Sequence, residues 1–241
     1  METAVVDVAI LCGGLGKRLQ PVSGDTQKTM VRIGEKPFLE ILYRYVAGFG
    51  FENFVFCTGY KGRTIEEHFA GFKNKISFSQ ELEPLGTGGA LKNAERMLRH
   101  DTLLVLNGDS FCPVDLNALL EAHERFGGEA TLTVASSKSR NDGGYIRLSG
   151  DSRVLAFQEK QYDPSLFINA GVYVFSKRIL RRIPAGRFFS LEKDLLSFLT
   201  KNESYAYQTA EEVYDIGTPE RLEMFKNVCK TSRPEFMTNG E

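Results

Sequence analysis

A chain of 241 residues with 30 Lys and Arg against 31 Asp and Glu has a formal charge of −1 and no basic run. That balance excludes a general attraction for nucleic acid or for an anionic lipid surface. Its 42% hydrophobic and 25% charged residues suit a soluble globular protein large enough for one α/β domain or two small ones, and no apolar stretch reaches the roughly 18 residues of a membrane span.

Residues 5–10 read as a short buried strand, and Phe38, Ile41, Leu42, Tyr45, Val46 and Phe49 recur at helical spacing. Between them lies Leu11-Cys12-Gly13-Gly14-Leu15-Gly16-Lys17-Arg18-Leu19, with Pro21 and Lys28 beyond. A glycine-rich turn at a strand end lets backbone N–H groups approach an anion, and Arg18 and Lys28 add fixed positive charge. The result is a candidate triphosphate cradle. Two familiar phosphate loops are excluded: Arg18 stands where a Walker A loop needs Ser or Thr, and Leu19 where a dinucleotide fingerprint has its third glycine.

Gly50 is the expected helix C-cap. A strand over 53–58, a helix over 64–69 and a strand over 76–79 follow. Glu81-Leu82-Glu83-Pro84-Leu85-Gly86-Thr87-Gly88-Gly89-Ala90 is a second glycine-rich loop, feeding a helix whose inner face is Ala90, Leu91, Ala94, Met97 and Leu98. The strand over 103–106 ends at Asn107-Gly108-Asp109, and 114–126 is a further amphipathic helix. This alternation predicts an α/β fold, a Rossmann-like three-layer sandwich with a mixed, mostly parallel sheet that binds ligands at its strands' carboxyl ends. Both glycine loops and Asp109 fall at such ends.

Beyond Gly128 the texture changes to strands over 131–135, 144–148, 154–159 and 168–175, with Ser149-Gly150-Asp151 as a hairpin turn. Helices over 177–183 and 190–199 precede strands over 205–208 and 213–216. Thr218 and Pro219 form an N-cap and N1 pair for a last helix. A single domain is expected over 1–231, with halves near 1–128 and 129–231, no β-helix repeat, and a disordered polar tail over 232–241. Cys12, Cys57, Cys112 and Cys229 show no zinc or disulfide spacing and suit reduced thiols in the cytoplasm. His68, His100 and His123 lack paired metal-ligand spacing, and His123 lies on an apolar helix face as a satisfied core-edge residue.

The first loop, G-G-x-G-x-R-L-x-P, resembles the signature of the sugar-1-phosphate nucleotidyltransferases, and further motifs follow in that family's order. Glu83-Pro84-Leu85-Gly86-Thr87-Gly88-Gly89-Ala90 resembles the base-side loop of its guanylyltransferase branches, which act on mannose 1-phosphate and on D-glycero-α-D-manno-heptose 1-phosphate. Asn107-Gly108-Asp109, Glu159-Lys160, Asn169-Ala170-Gly171 and Asp215-Ile216-Gly217-Thr218-Pro219 resemble its metal and sugar segments. Gln27 and Gln161 stand where the family has proline.

The resemblance implies that Leu11, Gly13, Gly14, Gly16, Lys17, Arg18, Lys28, Glu81, Gly86, Thr87 and Gly108 bind the nucleotide. It places Asn107, Gly144, Glu159, Lys160, Asn169 and Gly171 on the sugar phosphate, and Asp109 and Asp215 on Mg²⁺. Arg18, Lys28 and Asp109 then carry catalysis. The partners implied are GTP and a sugar 1-phosphate, with a homo-oligomer left open.

Chemistry supports this division. The incoming phosphate is already an anion, so nucleotidyl transfer needs cation clamps and positioning more than a base. Glu81 stands where the resembled family places a base-reading Gln or Glu. Guanine offers two N–H donors that one carboxylate can accept, so Glu81 points to GTP. The alternatives are the same chemistry with another base and sugar, such as uridylyl transfer, or a non-catalytic regulatory subunit. A glycosyltransferase would bring an Asp-x-Asp metal motif, which Asn107-Gly108-Asp109 is not.

Overall fold

The computed structural model describes residues 6–136, 144–159, 163, 165–199 and 203–232. In chain order the first elements are β1 (Val6–Leu11), α1 (Gln20–Ser23), β2 (Arg32–Ile33), β3 (Lys36–Pro37), α2 (Phe38–Ala47), β4 (Asn53–Thr58), α3 (Gly62–Phe69) and β5 (Lys75–Gln80). Next come α4 (Gly86–Asn93), β6 (Thr102–Asn107), β7 (Ser110–Phe111), α5 (Leu116–Phe126) and β8 (Ala130–Ser136). The chain continues with β9 (Gly144–Leu148), β10 (Val154–Glu159), β11 (Phe167–Ser176), β12 (Ser204–Thr209), β13 (Tyr214–Asp215) and α6 (Pro219–Ser232).

Strands β6, β1, β4 and β5 lie side by side and parallel. Strand β11 is antiparallel to β6 and carries the sheet on to β8 and β12, while its first residues pair with β9 and hence β10. The sheet is therefore mixed and continuous from one half of the chain to the other. Period-two alternation in the strands supplies both of its faces. Val8, Ile10, Phe54, Phe56, Leu104 and Leu106 pack under α2, α3, α5 and α6. Ala9, Val55, Cys57, Leu103 and Val105 point the other way, under α4 and the Lys177–Arg182 and Leu191–Leu196 turns. Three layers result.

Several local expectations shift. Helix α2 is capped at Gly48, and Gly50 adopts φ 87° two residues later. Helix α4 ends at Asn93, because the chain then turns so that Arg99 N and His100 N donate to the buried Asp7 carboxylate; Met97 is left exposed. The expected helix over 177–183 is a 3₁₀ segment, and that over 190–199 a π-helical turn. Helix α6 runs to Ser232, one residue into the expected tail; 233–241 and Val5 lie outside the described residues. His123 is a core-edge residue as expected: its Nδ1 meets Thr131 Oγ1 at 2.9 Å, and burial holds its pKa down. All four cysteines are buried free thiols.

Candidate active site

Parallel strands place their last residues along one edge, and β1, β4, β5 and β6 end there at Leu11, Thr58, Gln80 and Asn107. A cleft of about 620 Å³ opens over that edge. Gly13, Gly16, Lys28, Glu81, Thr87 and Asp109 line it, together with the expected Leu11, Gly14, Gly86 and Asn107. Two loops distant in sequence thus meet in one concave site, the usual place for a ligand in such a sheet.

Lys28 opens a 3₁₀ turn, Lys28–Met30, and its ammonium meets Asp109 Oδ2 at 2.5 Å. The stem of the lysine lies against Gly16, whose φ is 60°; a Cβ there would fall 2.7 Å from Lys28 Cβ. Gln27, nominally the weak point of the motif, is 2% exposed and bonded on both sides. Its Nε2 donates to the Cys12 carbonyl at 2.6 Å. Its Oε1 accepts from Thr29 N, Thr29 Oγ1 and Met30 N at 2.6, 2.7 and 3.2 Å.

Glu81 follows β5 and sits in a slot between two backbones. A Cβ on Gly13 would lie 2.8 Å from its Oε1, and one on Gly59 only 2.7 Å away, so both glycines are needed for the side chain to fit. Its Oε2 accepts the Leu85 N–H at 3.1 Å. Burial raises the carboxyl above its ordinary range, and that backbone bond partly opposes the rise.

Asp109 and Asp215 are brought together by a small antiparallel pairing. Asp215 in β13 sits opposite Ser110 in β7, and Ile216 N donates to the Asp109 carbonyl at 3.0 Å. Arg221 Nη1 reaches both Asp215 oxygens at 3.1 Å, and Gly217 N donates to Oδ1 at 2.8 Å. Lys17 and Arg18 are exposed on the first loop, and Arg18 Nη2 would lie 3.5 Å from a Cβ on Gly217. Arg18 therefore stands beside the Asp215 loop. Gly108 is buried, its N–H donating to the Leu11 carbonyl at 2.8 Å.

Asp109 suits a divalent cation, whereas the Asp215 oxygens, held by Arg221 and Gly217 N, would have to exchange the guanidinium for it. The Asp109 side chain is 40% exposed into the cleft and already holds a cationic group, the Lys28 ammonium. No cluster of three or more His, Cys, Asp or Glu suited to a metal occurs among the described residues. A metal here would draw on two carboxylates and complete its shell from phosphate and water, which is the habit of Mg²⁺.

On the other flank, β11 carries a bulge between Asn169 and Tyr173, where Gly171 adopts φ 73° beside the Asn107 amide. Asn169 Nδ2 donates to Tyr173 Oη at 2.7 Å, and Tyr173 Oη donates to Glu192 Oε1 at 3.4 Å. Glu192 Oε2 accepts from Thr87 Oγ1 at 2.8 Å and Ser190 Oγ at 3.0 Å. Asn107 lines the cleft, and its Oδ1 is buried without a hydrogen-bond partner among the described residues. Gly144 is exposed at the start of β9. Glu159 is described in backbone alone, and Lys160 and Gln161 lie outside the described residues.

Sequence reasoning missed the segment 187–192. Phe189 O accepts from Gly88 N and Gly89 N at 2.9 and 3.0 Å, Thr87 Oγ1 accepts from Leu191 N at 2.8 Å, and Phe188, 67% exposed, lines the cleft. Only a helix over 190–199 was expected there, and nothing for 187–189.

A family model described as nucleotidyl transferase matches residues 8–231. The chain belongs to that family. This nucleotidyltransferase is 38% identical over 219 residues to the D-glycero-alpha-D-manno-heptose 1-phosphate guanylyltransferase of Aneurinibacillus thermoaerophilus, covering 89% of this chain and 94% of that one. It is 36% identical over 227 residues to the mannose-1-phosphate guanylyltransferase of Mycobacterium tuberculosis, covering 91% of this chain but 63% of the longer relative. Its fold matches the crystal structure of HddC from Yersinia pseudotuberculosis with a TM-score of 0.81 at 32% identity, over 92% of this chain and 98% of that one. The same protein has also been crystallised complexed with GMP-PN, and that structure matches with a TM-score of 0.80. Fold class and enzyme class are therefore those that the motifs implied.

Proposed function

We propose that this enzyme transfers a guanylyl group from GTP to a sugar 1-phosphate, forming a GDP-sugar and pyrophosphate. The favoured acceptor is D-glycero-α-D-manno-heptose 1-phosphate, with mannose 1-phosphate next. The observation that carries the base assignment is Glu81, a half-buried carboxyl lining the cleft that holds Lys28 and Asp109. Its Oε2 is tied to the second loop, and Oε1 has no hydrogen-bond partner among the described residues. Ionised, it accepts from the N1–H and N2–H of guanine; uracil or thymine would set an oxygen against it, at a cost of about 1–3 kcal/mol. The heptose preference is supported by the near-full length over which the heptose 1-phosphate relative matches.

In this reading an oxygen of the sugar phosphate attacks the α-phosphorus of GTP, the bond from that phosphorus to the α–β bridging oxygen breaks, and pyrophosphate leaves. Backbone N–H groups of Gly13, Gly14 and Gly16, with Lys17, Arg18 and Lys28, offset the triphosphate charge. Asp109 and Asp215 would hold Mg²⁺, which when bound neutralises charge on the triphosphate and the departing pyrophosphate. Asn107, Gly144, Glu159, Lys160, Asn169 and Gly171 take the sugar-phosphate side. A cytoplasmic location belongs to this reading, supported by four buried free thiols and a GTP substrate.

The test is pyrophosphate release across GTP, UTP, CTP, dTTP and ATP against heptose, mannose, glucose and N-acetylglucosamine 1-phosphates, with Mg²⁺. Turnover in the GTP row is expected, highest with the heptose. Turnover confined to another row removes the guanine assignment. A blank grid with nucleotide binding still seen by calorimetry replaces catalysis with a regulatory binding role.

A further inference from the structure

We propose that Gln27 is a positioning residue: its side-chain amide clamps the Lys28 turn to the first glycine loop and thereby holds the Lys28 ammonium at the cleft. The proposal rests on the reading above for what Lys28 does, though not for how Lys28 is held.

Position 27 has a backbone that proline would fit, with φ −58° and ψ 135°. Proline at that position would fix the turn through its ring. Glutamine fixes it through four hydrogen bonds instead, three received by Oε1 from the Lys28–Met30 turn and one donated by Nε2 to Cys12 O. The amide is suited to this because it carries a donor and an acceptor on one planar group. A carboxylate has no donor for Cys12 O, and an apolar chain satisfies neither side. At 2% exposure, water cannot replace the lost partners.

The clamp has a direction. Cys12 opens the loop that contains Gly16, and Lys28 runs along Gly16 to reach Asp109. Gln27 thus joins the two pieces of backbone between which the lysine side chain is threaded. Loosening that joint moves the ammonium relative to the glycine loop, and displacements of about 1 Å at a charge clamp can cost about 100-fold in rate.

The experiment is a double-mutant cycle of Gln27→Met and Lys28→Ala, read as kcat/KM for GTP, with thermal melting of all four proteins. The expected result is a loss of about 10- to 100-fold for Gln27→Met alone. In the Lys28→Ala background the same change should add less than about twofold, because the group it positions is gone. Equal losses in both backgrounds would mean that Gln27 supports the fold generally, and overturn the proposal.

A crystal structure of Gln27→Met asks the question without turnover. A Lys28 ammonium still on Asp109 overturns the positioning role whatever reaction the enzyme performs. A displaced ammonium in a protein whose wild type turns over no nucleotide upholds the clamp and removes the proposed function. Should Gln27→Met fail to fold, Gln27→Glu serves in its place: it keeps the acceptor for Thr29 and Met30 and sets an oxygen against Cys12 O, so the same loss is expected.

Discussion

At the scale of single residues, the slot around Glu81 makes a pH prediction. Desolvation is the larger influence on its carboxyl and raises its pKa above the ordinary 4.5, against the lowering pull of the Leu85 N–H. The ionised form is the one that accepts two N–H donors from guanine. As pH falls through the raised value the group becomes protonated, one acceptor turns into a donor, and GTP binding weakens. KM for GTP should therefore climb on mild acidification, before any carboxylate of ordinary pKa titrates. In Glu81→Gln that acid limb should vanish, with GTP preference over UTP reduced by about 10- to 100-fold, because an amide N–H then opposes a guanine N–H. KM for GTP and UTP between about pH 5 and pH 8 decides it. An acid limb that survives in Glu81→Gln assigns the titration elsewhere.

At the scale of elements, the two glycine-rich loops look alike in sequence and differ in what their glycines avoid. A Cβ on Gly14 meets nothing within 4 Å. A Cβ on Gly89 would lie 2.9 Å from both Arg187 O and Leu85 Cβ, and one on Gly88 2.8 Å from Phe189 Cδ1. Gly89→Ala should therefore lower stability by about 1–3 kcal/mol through overpacking, or about 2–4 °C in Tm for each kcal/mol in a chain of this size. Gly14→Ala should leave the melting curve in place and reduce pyrophosphate release, since the open space over Gly14 is where a phosphate would come. Differential scanning fluorimetry and initial rates on the two variants separate the roles. A Gly14→Ala enzyme with wild-type rates would remove the close phosphate approach at that residue.

The same contrast shows what could be read from sequence. That both runs follow strand ends is legible from glycine next to apolar strands, though the second is a loop only to Leu85 and then enters α4 at Gly86; the strands over 53–58, 144–148 and 154–159 fall where they were expected. Which atoms each glycine makes room for depends on Phe189 and Arg187, about a hundred residues away, and no local pattern encodes that. Gln27 was legible as a departure from a motif. Its four hydrogen bonds were not, because they depend on where the Cys12 carbonyl points in the folded loop.

At the scale of the molecule, β11 binds the two halves into one sheet through β6, and a second joint ties the first turn of α4 to the Leu191–Leu196 turn at Thr87. The order of motifs implied a common site for Asp109 and Asp215, whose backbones do meet, but of the segment 187–192 only the start of a helix over 190–199 was expected. Its contribution runs largely through main-chain atoms: the Phe189 carbonyl and the Leu191 N–H. Thr87→Val tests this joint, since valine keeps the shape and removes the hydroxyl. The Leu191 N–H, on a fully buried residue, then loses its acceptor, and Glu192 keeps Ser190 and Tyr173 but loses Thr87. An orphaned buried N–H costs about 1–3 kcal/mol, so Tm should fall. Activity should change on both substrates. Gly86 and Thr87, in the first turn of α4, border the nucleotide cleft, while Glu192 reaches through Tyr173 to Asn169 on the proposed sugar side. A rise in KM for GTP and for the sugar phosphate together is the expected result of freeing that chain at its centre. A rise for GTP alone would confine Thr87 to the nucleotide loop, and the Tyr173–Glu192 bridge would then serve only to pack β11 against its neighbours.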